Sequence, residues 1–273
     1  MMMSLRKLFL RLNDRCRRIK VVRADDSALA EDTLLHLAFT SPFEADILWD
    51  SRNVVWRTSI AGMTCVVKTF CGGVGKSLIY SVKRSKARRS FAHAVELIRR
   101  GIDTPRPLGF VEVRGLCNML SHSCYASTYT PYIALTDAIG QYGDSVVDAF
   151  AAFVARLHRR GIKHDDLNGS NVRVGKDAAG RFTFSLIDLN RMKIYPAGHA
   201  LGRREALDNV CRFTYDTDIF RRFAASYIQA TGRRASEADD LIEYKQKADK
   251  RFWRRKRYMH ALGRLLGIKK NAR

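Results

Sequence analysis

The sequence predicts an α+β fold with two lobes, a small β-rich N-lobe followed by a larger helical C-lobe. Three observations predict it. Strand-like runs dominate the first half of the chain and helical periodicity the second. Two strong helical segments, Ser85 to Arg100 and Ser145 to Arg160, each end at a glycine, Gly101 and Gly161. Between the second helix and a later apolar strand lies a polar loop, His164-Asp165-Asp166-Leu167-Asn168-Gly169-Ser170-Asn171.

Composition narrows the classes open to the chain. With 273 residues and 46% hydrophobic residues it has the length for two lobes and the material for a core, which excludes a disordered protein. The formal net charge of +22 calls for an anionic partner, whether nucleic acid, an anionic membrane surface or a phosphorylated substrate. Cys16, Cys65, Cys71, Cys117, Cys124 and Cys211 form no C-x-x-C pair and have no His at zinc-finger spacing, so free thiols in a reducing compartment are expected. The basic N-terminus has only Leu8-Phe9-Leu10 as an apolar centre, too short for a secretory h-region. No stretch approaches the roughly 20 apolar residues of a membrane-spanning helix.

Taken in order, residues 1–52 form a basic N-terminal segment and the start of the N-lobe. Within them Ser4 to Lys20 alternates Leu and Phe with Arg and Lys as a short amphipathic helix, read either as a solvated surface helix or as an interfacial anchor. Residues 53–130 complete the N-lobe. Val54 to Ile60 and Met63 to Phe70 read as paired strands about Ala61-Gly62, the second rich in β-branched residues. The helix Ser85 to Arg100 has Phe91, Val95 and Ile98 on one side. Thr104-Pro105-Arg106-Pro107 breaks the chain before strands Leu108 to Val113 and Cys117 to Tyr129. Thr130-Pro131-Tyr132 connects the lobes, and residues 131–273 form the C-lobe. There the helix Ser145 to Arg160 turns Val146, Ala149, Phe150, Phe153, Val154 and Leu157 inward. Phe182 to Leu189 reads as a strand, and the chain beyond Arg203 as mostly helical.

The chemistry concentrates in two segments. The loop has the H-x-D-L-x-x-x-N spacing of a phosphoryl-transfer catalytic loop, in which catalysis needs a carboxylate for the hydroxyl proton, ligands for Mg²⁺ and a cation on the phosphates. Asp166 is the candidate base, able to take the proton of an attacking sugar hydroxyl. Asn171 and Asp188 are candidate Mg²⁺ ligands, since Mg²⁺ prefers hard oxygen donors, and Asp188 ends an apolar run. His164 is expected to pack and hydrogen-bond the loop. Lys68, mid-strand among valines, needs an anionic partner, which nucleotide phosphates supply. The bland alternatives are a polar turn favoured by Asp and Asn geometry and a lysine on an exposed strand face. The motif, the downstream Asp and the upstream Lys together favour catalysis. The sole acid of the first helix, Glu96, sits near its end and is a poor partner for Lys68.

Gly72-Gly73-Val74-Gly75-Lys76-Ser77 competes as a phosphate-binding loop. The ordinary P-loop requires Gly where this chain has Phe70, the deviant form requires Lys where it has Cys71, and no Walker B aspartate follows in a parallel α/β pattern.

These residues resemble the bacterial lipopolysaccharide core kinases of the Kdo/WaaP type, over roughly Asn53 to Phe213. The resemblance is carried by Gly101-Ile102-Asp103-Thr104-Pro105-Arg106-Pro107, by Ile162 to Leu167 with Asn171-Val172, by Ser185 to Met192 with D-x-N in place of D-F-G, and by Asp208 to Phe213. It implies a protein kinase-like fold, ATP with Mg²⁺, and transfer of a γ-phosphate to a sugar hydroxyl, Kdo or heptose, of the inner core. By position it implies Lys68 on the ATP phosphates, Asp166 as base, Asn171 and Asp188 as metal ligands, and Thr128, Tyr129 and Thr130 lining the adenine site with Pro131. Asp165 stands where regulated protein kinases carry Arg, which implies a constitutive enzyme, and no recognisable Gly-rich loop precedes Lys68.

A lipopolysaccharide acceptor would give the positive charge its use, at the inner face of the cytoplasmic membrane, where each Lys or Arg near anionic lipid contributes about 1 kcal/mol. Lys245 to Lys270, with Phe252, Trp253 and Tyr258 among arginines and lysines, suits such an interface, and equally a solvated helix packed on the C-lobe. Nucleic acid is not the expected partner, because no recognition module is visible. The rival readings are a kinase-like phosphotransferase acting on another small molecule or protein, and a non-catalytic pseudokinase-like or P-loop ATP-binding protein.

Overall fold

The computed structural model describes residues 17–40, 46–51, 53–70 and 79–265 of the chain. The candidate phosphate loop Gly72 to Ser77 and the N-terminal part of the expected Ser4 to Lys20 helix lie outside the described residues. Where that segment becomes described it is a strand, since Arg18–Arg23 forms β1. The reason is a partner: every residue of β1 pairs antiparallel with the strand Pro107–Arg114.

The chain divides into two compact units, Met1–Tyr132 with Ser185–Met192, and Ile133–Phe184 with Lys193–Arg273. The first unit is built on a six-stranded antiparallel sheet in the order β1-β5-β6-β4-β3-β2, with β2 Asp46–Asp50, β3 Asn53–Ile60, β4 Met63–Phe70, β5 Pro107–Arg114 and β6 Leu120–Thr128. β3 and β4 meet at Ala61 and Gly62, both at positive φ, the two-residue turn whose twist matches a right-twisted hairpin. β6 starts three residues later than the sequence suggests, because Leu116–Asn118 makes a tight turn with Cys117 at φ 52.

Alternation along the strands sends one side-chain set to each face. Cys65, Val67, Leu108, Val111, Val113, Cys124 and Ala126 form a core with Leu34 and Leu37 of α1, Glu31–Phe39. Gly109 is needed beneath this helix, since a Cβ there would lie 2.4 Å from Leu34 Cδ1. Lys68, Tyr125 and Phe110 are register partners of opposite parity. They share the other face, where Phe91 of α2, Lys86–Arg99, packs tilted against Phe110 with ring centroids 5.4 Å apart.

α2 is fixed at both ends by local chemistry. Ser85 Oγ accepts the Arg88 N–H at 3.0 Å. At the other end Gly101 takes φ 64, and the Gly101 and Ile102 N–H groups donate to the Ile98 and Leu97 carbonyls. The inward face is Ala87, Ser90, Ala94 and Leu97, whereas Val95 and Ile98 are exposed. Of the three apolar residues expected on one side, Phe91 meets the sheet at Phe110 and Val95 and Ile98 do not; small residues let α2 approach the sheet.

The second unit is helical. Its elements are β7 Ile133–Ala134, α3 Leu135–Tyr142, α4 Asp144–Arg159, β8 Ile162–His164, β9 Val172–Lys176, β10 Phe182–Leu186, β11 Met192–Ile194, α5 Arg203–Val210, α6 Thr217–Thr231 and α7 Glu237–Leu265. The last residues of β10 and the first of β11 belong to the first unit. α4 buries Val146, Phe150, Phe153, Val154 and Leu157 as expected, while Ala149 is half-buried. Phe150 sits within an aromatic core with Phe153, Phe184, Phe213 and Phe223. β10 ends at Leu186, before Asp188, because the backbone turns left-handed at Asp188, φ 57, and enters a short turn at Leu189–Arg191.

Candidate active site

In the first unit, Lys68 and Asp188 form an ion pair, Nζ to Oδ1 at 2.5 Å, though 120 residues apart. Both side chains are largely covered, at 17% and 29% exposure, so the pair is less screened than a surface one. The sequence assigned Lys68 to nucleotide phosphates; its acidic partner in this structure is the candidate metal ligand. Glu96 is committed elsewhere. Hydrogen bonds from Arg99 and ion pairing with Arg100 hold its carboxyl down at about 2.

Asp188 is set by neighbours that sequence reasoning did not single out. Asn190, 6% exposed, donates its amide N–H to the same Asp188 oxygen at 2.6 Å. His93 of α2 bonds through Nδ1 to the Leu189 carbonyl at 2.7 Å. The buried Thr104 hydroxyl donates to the Leu186 carbonyl at 2.7 Å, and the Leu186 N–H to the Asp103 carbonyl at 3.1 Å. The G-I-x-T-P-x-P segment thus clamps the end of the strand that leads to Asp188. Its spacing was visible in the sequence; its partner was not.

Thr128, Tyr129 and Thr130 follow the end of β6. Thr128 exchanges two bonds with Arg106, N–H to carbonyl and N–H to Oγ1, both 2.9 Å, and the Tyr129 N–H donates to the Thr64 carbonyl. The Arg57 guanidinium lies 5.2 Å from the Tyr129 ring centroid. This path is pinned by backbone bonds on both sides.

In the second unit the loop after β8 is a closed hydrogen-bond system. His164 is fully buried, its Nδ1 accepts the Asp166 N–H at 3.2 Å, and its carbonyl accepts the Leu167 N–H at 3.0 Å. The Asp166 carbonyl accepts the Asn168 N–H and the Asn171 amide N–H, both at 2.9 Å. Asn168 Oδ1 caps the turn by accepting the Ser170 and Asn171 N–H groups. Gly169 has no room for a side chain, since a Cβ would meet Thr136 Cγ2 at 2.7 Å. Asp166 and Asn171 are therefore brought together, both half-buried, while Asp165 turns to Lys163 and Lys193 at 3.3 and 3.7 Å.

A further network holds the loop from behind. Asn209 of α5 donates to the His164 carbonyl at 2.6 Å and accepts from His158 Nε2 at 2.9 Å, while His158 Nδ1 accepts from the Tyr227 hydroxyl at 2.8 Å. Burial pushes the His158 pKa down to about 4, so the ring is neutral, as this bonding pattern requires, and burial pushes Tyr227 up to about 12.

Each unit offers a hard oxygen donor of the kind magnesium takes: Asp188 a carboxylate in the first, and in the second Asn171, whose amide nitrogen is engaged and whose amide oxygen is not. Among the described residues no group of three or more His, Cys, Asp or Glu could hold a metal ion by itself.

A family model described as the lipopolysaccharide kinase (Kdo/WaaP) family matches residues 51–214. No curated protein matches the chain by sequence. Among solved structures the fold is similar to that of WaaP in complex with acyl carrier protein, with a TM-score of 0.56 at 17% identity over 85% of this chain and 98% of that one. The Rio2 kinase of Chaetomium thermophilum, in an ADP/Mg²⁺–phosphoaspartate complex, matches with a TM-score of 0.44 at 16% identity over 91% of this chain and 86% of that one. The α+β, kinase-like architecture expected from the sequence is the one observed.

Proposed function

The chain belongs to the lipopolysaccharide kinase (Kdo/WaaP) family, and from that premise we propose that it transfers the γ-phosphate of ATP, with Mg²⁺, to a hydroxyl of a Kdo or heptose unit of the lipopolysaccharide inner core. The acceptor is lipid-linked, and the enzyme works as a peripheral protein on the cytoplasmic face of the inner membrane.

The observation that carries this reading is the Lys68–Asp188 pair. The sequence gives the two residues complementary roles in phosphate and metal binding, and the fold joins them across 120 positions. Asp188 and Asn171 would each give an oxygen ligand to magnesium, which when bound would supply charge neutralisation on the phosphates. Lys68 exchanges its carboxylate partner for phosphate oxygen when nucleotide arrives. Asp166 orients the acceptor hydroxyl and receives its proton as the new oxygen–phosphorus bond forms and the bond to the ADP oxygen breaks. Thr128, Tyr129 and Thr130 line the adenine site. Asn190 and His93 keep Asp188 and its turn in place, and Asn209 does the same for the loop that carries Asp166.

The test is transfer from γ-labelled ATP by the full chain to Kdo–lipid A and to a heptosylated acceptor. Label enters one of them and is lost with EDTA. Asp166→Ala lowers kcat by about 10²- to 10⁴-fold while ATP still binds, and Asp188→Ala loses Mg²⁺-dependent nucleotide binding. No transfer to either sugar, with transfer to a protein or another small molecule instead, refutes the acceptor.

A further inference from the structure

The helix α7 is two different surfaces in sequence. Its first half packs through Leu241, fully buried, and Lys245, 4% exposed, whose ammonium donates to the Cys211 carbonyl and Asp249. From Lys250 to Leu262 every side chain is exposed. Six of the eight residues from Lys250 to Arg257 are Lys or Arg, and no acid occurs from Lys250 to the last residue of the chain.

Within this cationic stretch sits a cluster of exposed aromatic rings. Phe252 and Trp253 lie 5.4 Å apart, and Tyr215, from the loop before α6, lies 6.4 and 5.9 Å from them. All three rings are between 43% and 60% exposed. The Lys256 ammonium stands 4.6 Å from the Trp253 ring centroid. Scattered exposed apolar residues need no explanation, but contiguous rings within a basic field mark an interaction surface.

We propose that this end of α7, with Tyr215, docks the protein on an anionic lipid bilayer, the rings entering the headgroup region and the flanking arginines and lysines meeting lipid phosphates. Charge complementarity selects an anionic partner. The apolar residues favour a bilayer: Phe252, Met259 and Leu262 fall within a strip of about 80° on a helix of 3.6 residues per turn, with Trp253 about 100° to the other side of Phe252, beside Tyr215, and a membrane surface accepts such a run of apolar residues at its headgroup boundary. Arg255 shares the strip and reaches phosphate by extending past its own apolar stem. Aromatic and aliphatic residues on a basic helix are the pattern of interfacial binding. The inference rests on the proposed lipid-linked acceptor only for the biological source of the lipid.

The experiment is sedimentation of the full chain with phosphatidylcholine vesicles, with and without phosphatidylglycerol, in the absence of ATP and acceptor. Phosphoryl transfer to detergent-dispersed acceptor is measured in parallel, so failure of either reading shows independently. Binding requires phosphatidylglycerol and weakens with salt. Arg254→Ser with Arg255→Ser weakens it about thirty-fold, Phe252→Ser with Trp253→Ser at least about tenfold, and neither alters transfer in detergent. In a Trp49→Phe background, brominated lipid quenches Trp253 in the otherwise intact chain, which decides the matter even if a double variant misfolds. Equal binding to neutral vesicles, unchanged binding by both double variants, absence of quenching, or tighter binding to nucleic acid or an acidic protein than to anionic vesicles overturns the proposal.

Discussion

His158 gives the second unit a defined dependence of stability on pH. The ring is 4% exposed and bonded to Tyr227 and Asn209, and burial lowers its pKa from 6.5 to about 4. As pH falls through 6.5 the unfolded chain takes up a proton here, whereas the folded chain stays neutral until about pH 4. The unfolded state binds more protons throughout that window, so stability declines as pH falls and levels off below it. The span corresponds to about 3 kcal/mol, at roughly 1.4 kcal/mol per pH unit. Urea unfolding of the native chain and of His158→Gln, followed between pH 7 and 4, reads this directly. The variant is less stable at pH 7, because the neutral ring's two hydrogen bonds are lost or weakened, but its decline with pH is shallower by about 3 kcal/mol. Carboxyls held low by arginines, Glu96 and Asp148 among them, titrate in both proteins and cancel in the comparison. Parallel profiles for the two proteins would show that the buried His158 ring does not resist protonation in the folded chain.

Asn190→Ala removes the amide that holds Asp188 Oδ1; half-saturating Mg²⁺ rises about ten- to a hundred-fold, as for other partners of metal ligands, with kcat at saturating Mg²⁺ much less changed. An unaltered Mg²⁺ titration would remove Asn190 from the account. Gly161→Ala meets two costs, φ 66 and a Cβ 2.3 Å from the His199 carbonyl oxygen, whereas Gly232→Ala meets only φ 69 in open space. Destabilisation is about 3 kcal/mol for the first and about 1–2 kcal/mol for the second, and equal melting temperatures would contradict the close approach.

What was legible in the sequence was local. The loop from His164 to Asn171 stood out because its candidate residues fall within eight positions, and α2 and α4 because Ser85, Gly101 and Gly161 mark their ends. The β3–β4 hairpin followed from β-branched runs about a two-residue turn. What escaped notice depends on partners far along the chain. Lys68 and Asp188 were each singled out, yet nothing in either segment announced that they pair. Asn190, His93, Thr104 and Asn209 act through single hydrogen bonds, which leave no periodic trace. The buried face of α2 was hidden because small residues line it and Val95 and Ile98 point outward. Arg18 to Lys20 read as part of a basic helix, although their backbone is claimed by the edge of β5.

In the proposed function Asp166, Asn171, Asp188 and Lys68 serve phosphoryl transfer to an inner-core sugar. Mass spectrometry of lipid A-core from cells lacking this chain, and from the same cells given either the native chain or Asp166→Ala, tests it most directly. Without the chain the core is expected to be lighter by one phosphate, which the native chain restores and the variant does not. An unchanged core, or full restoration by Asp166→Ala, would contradict it.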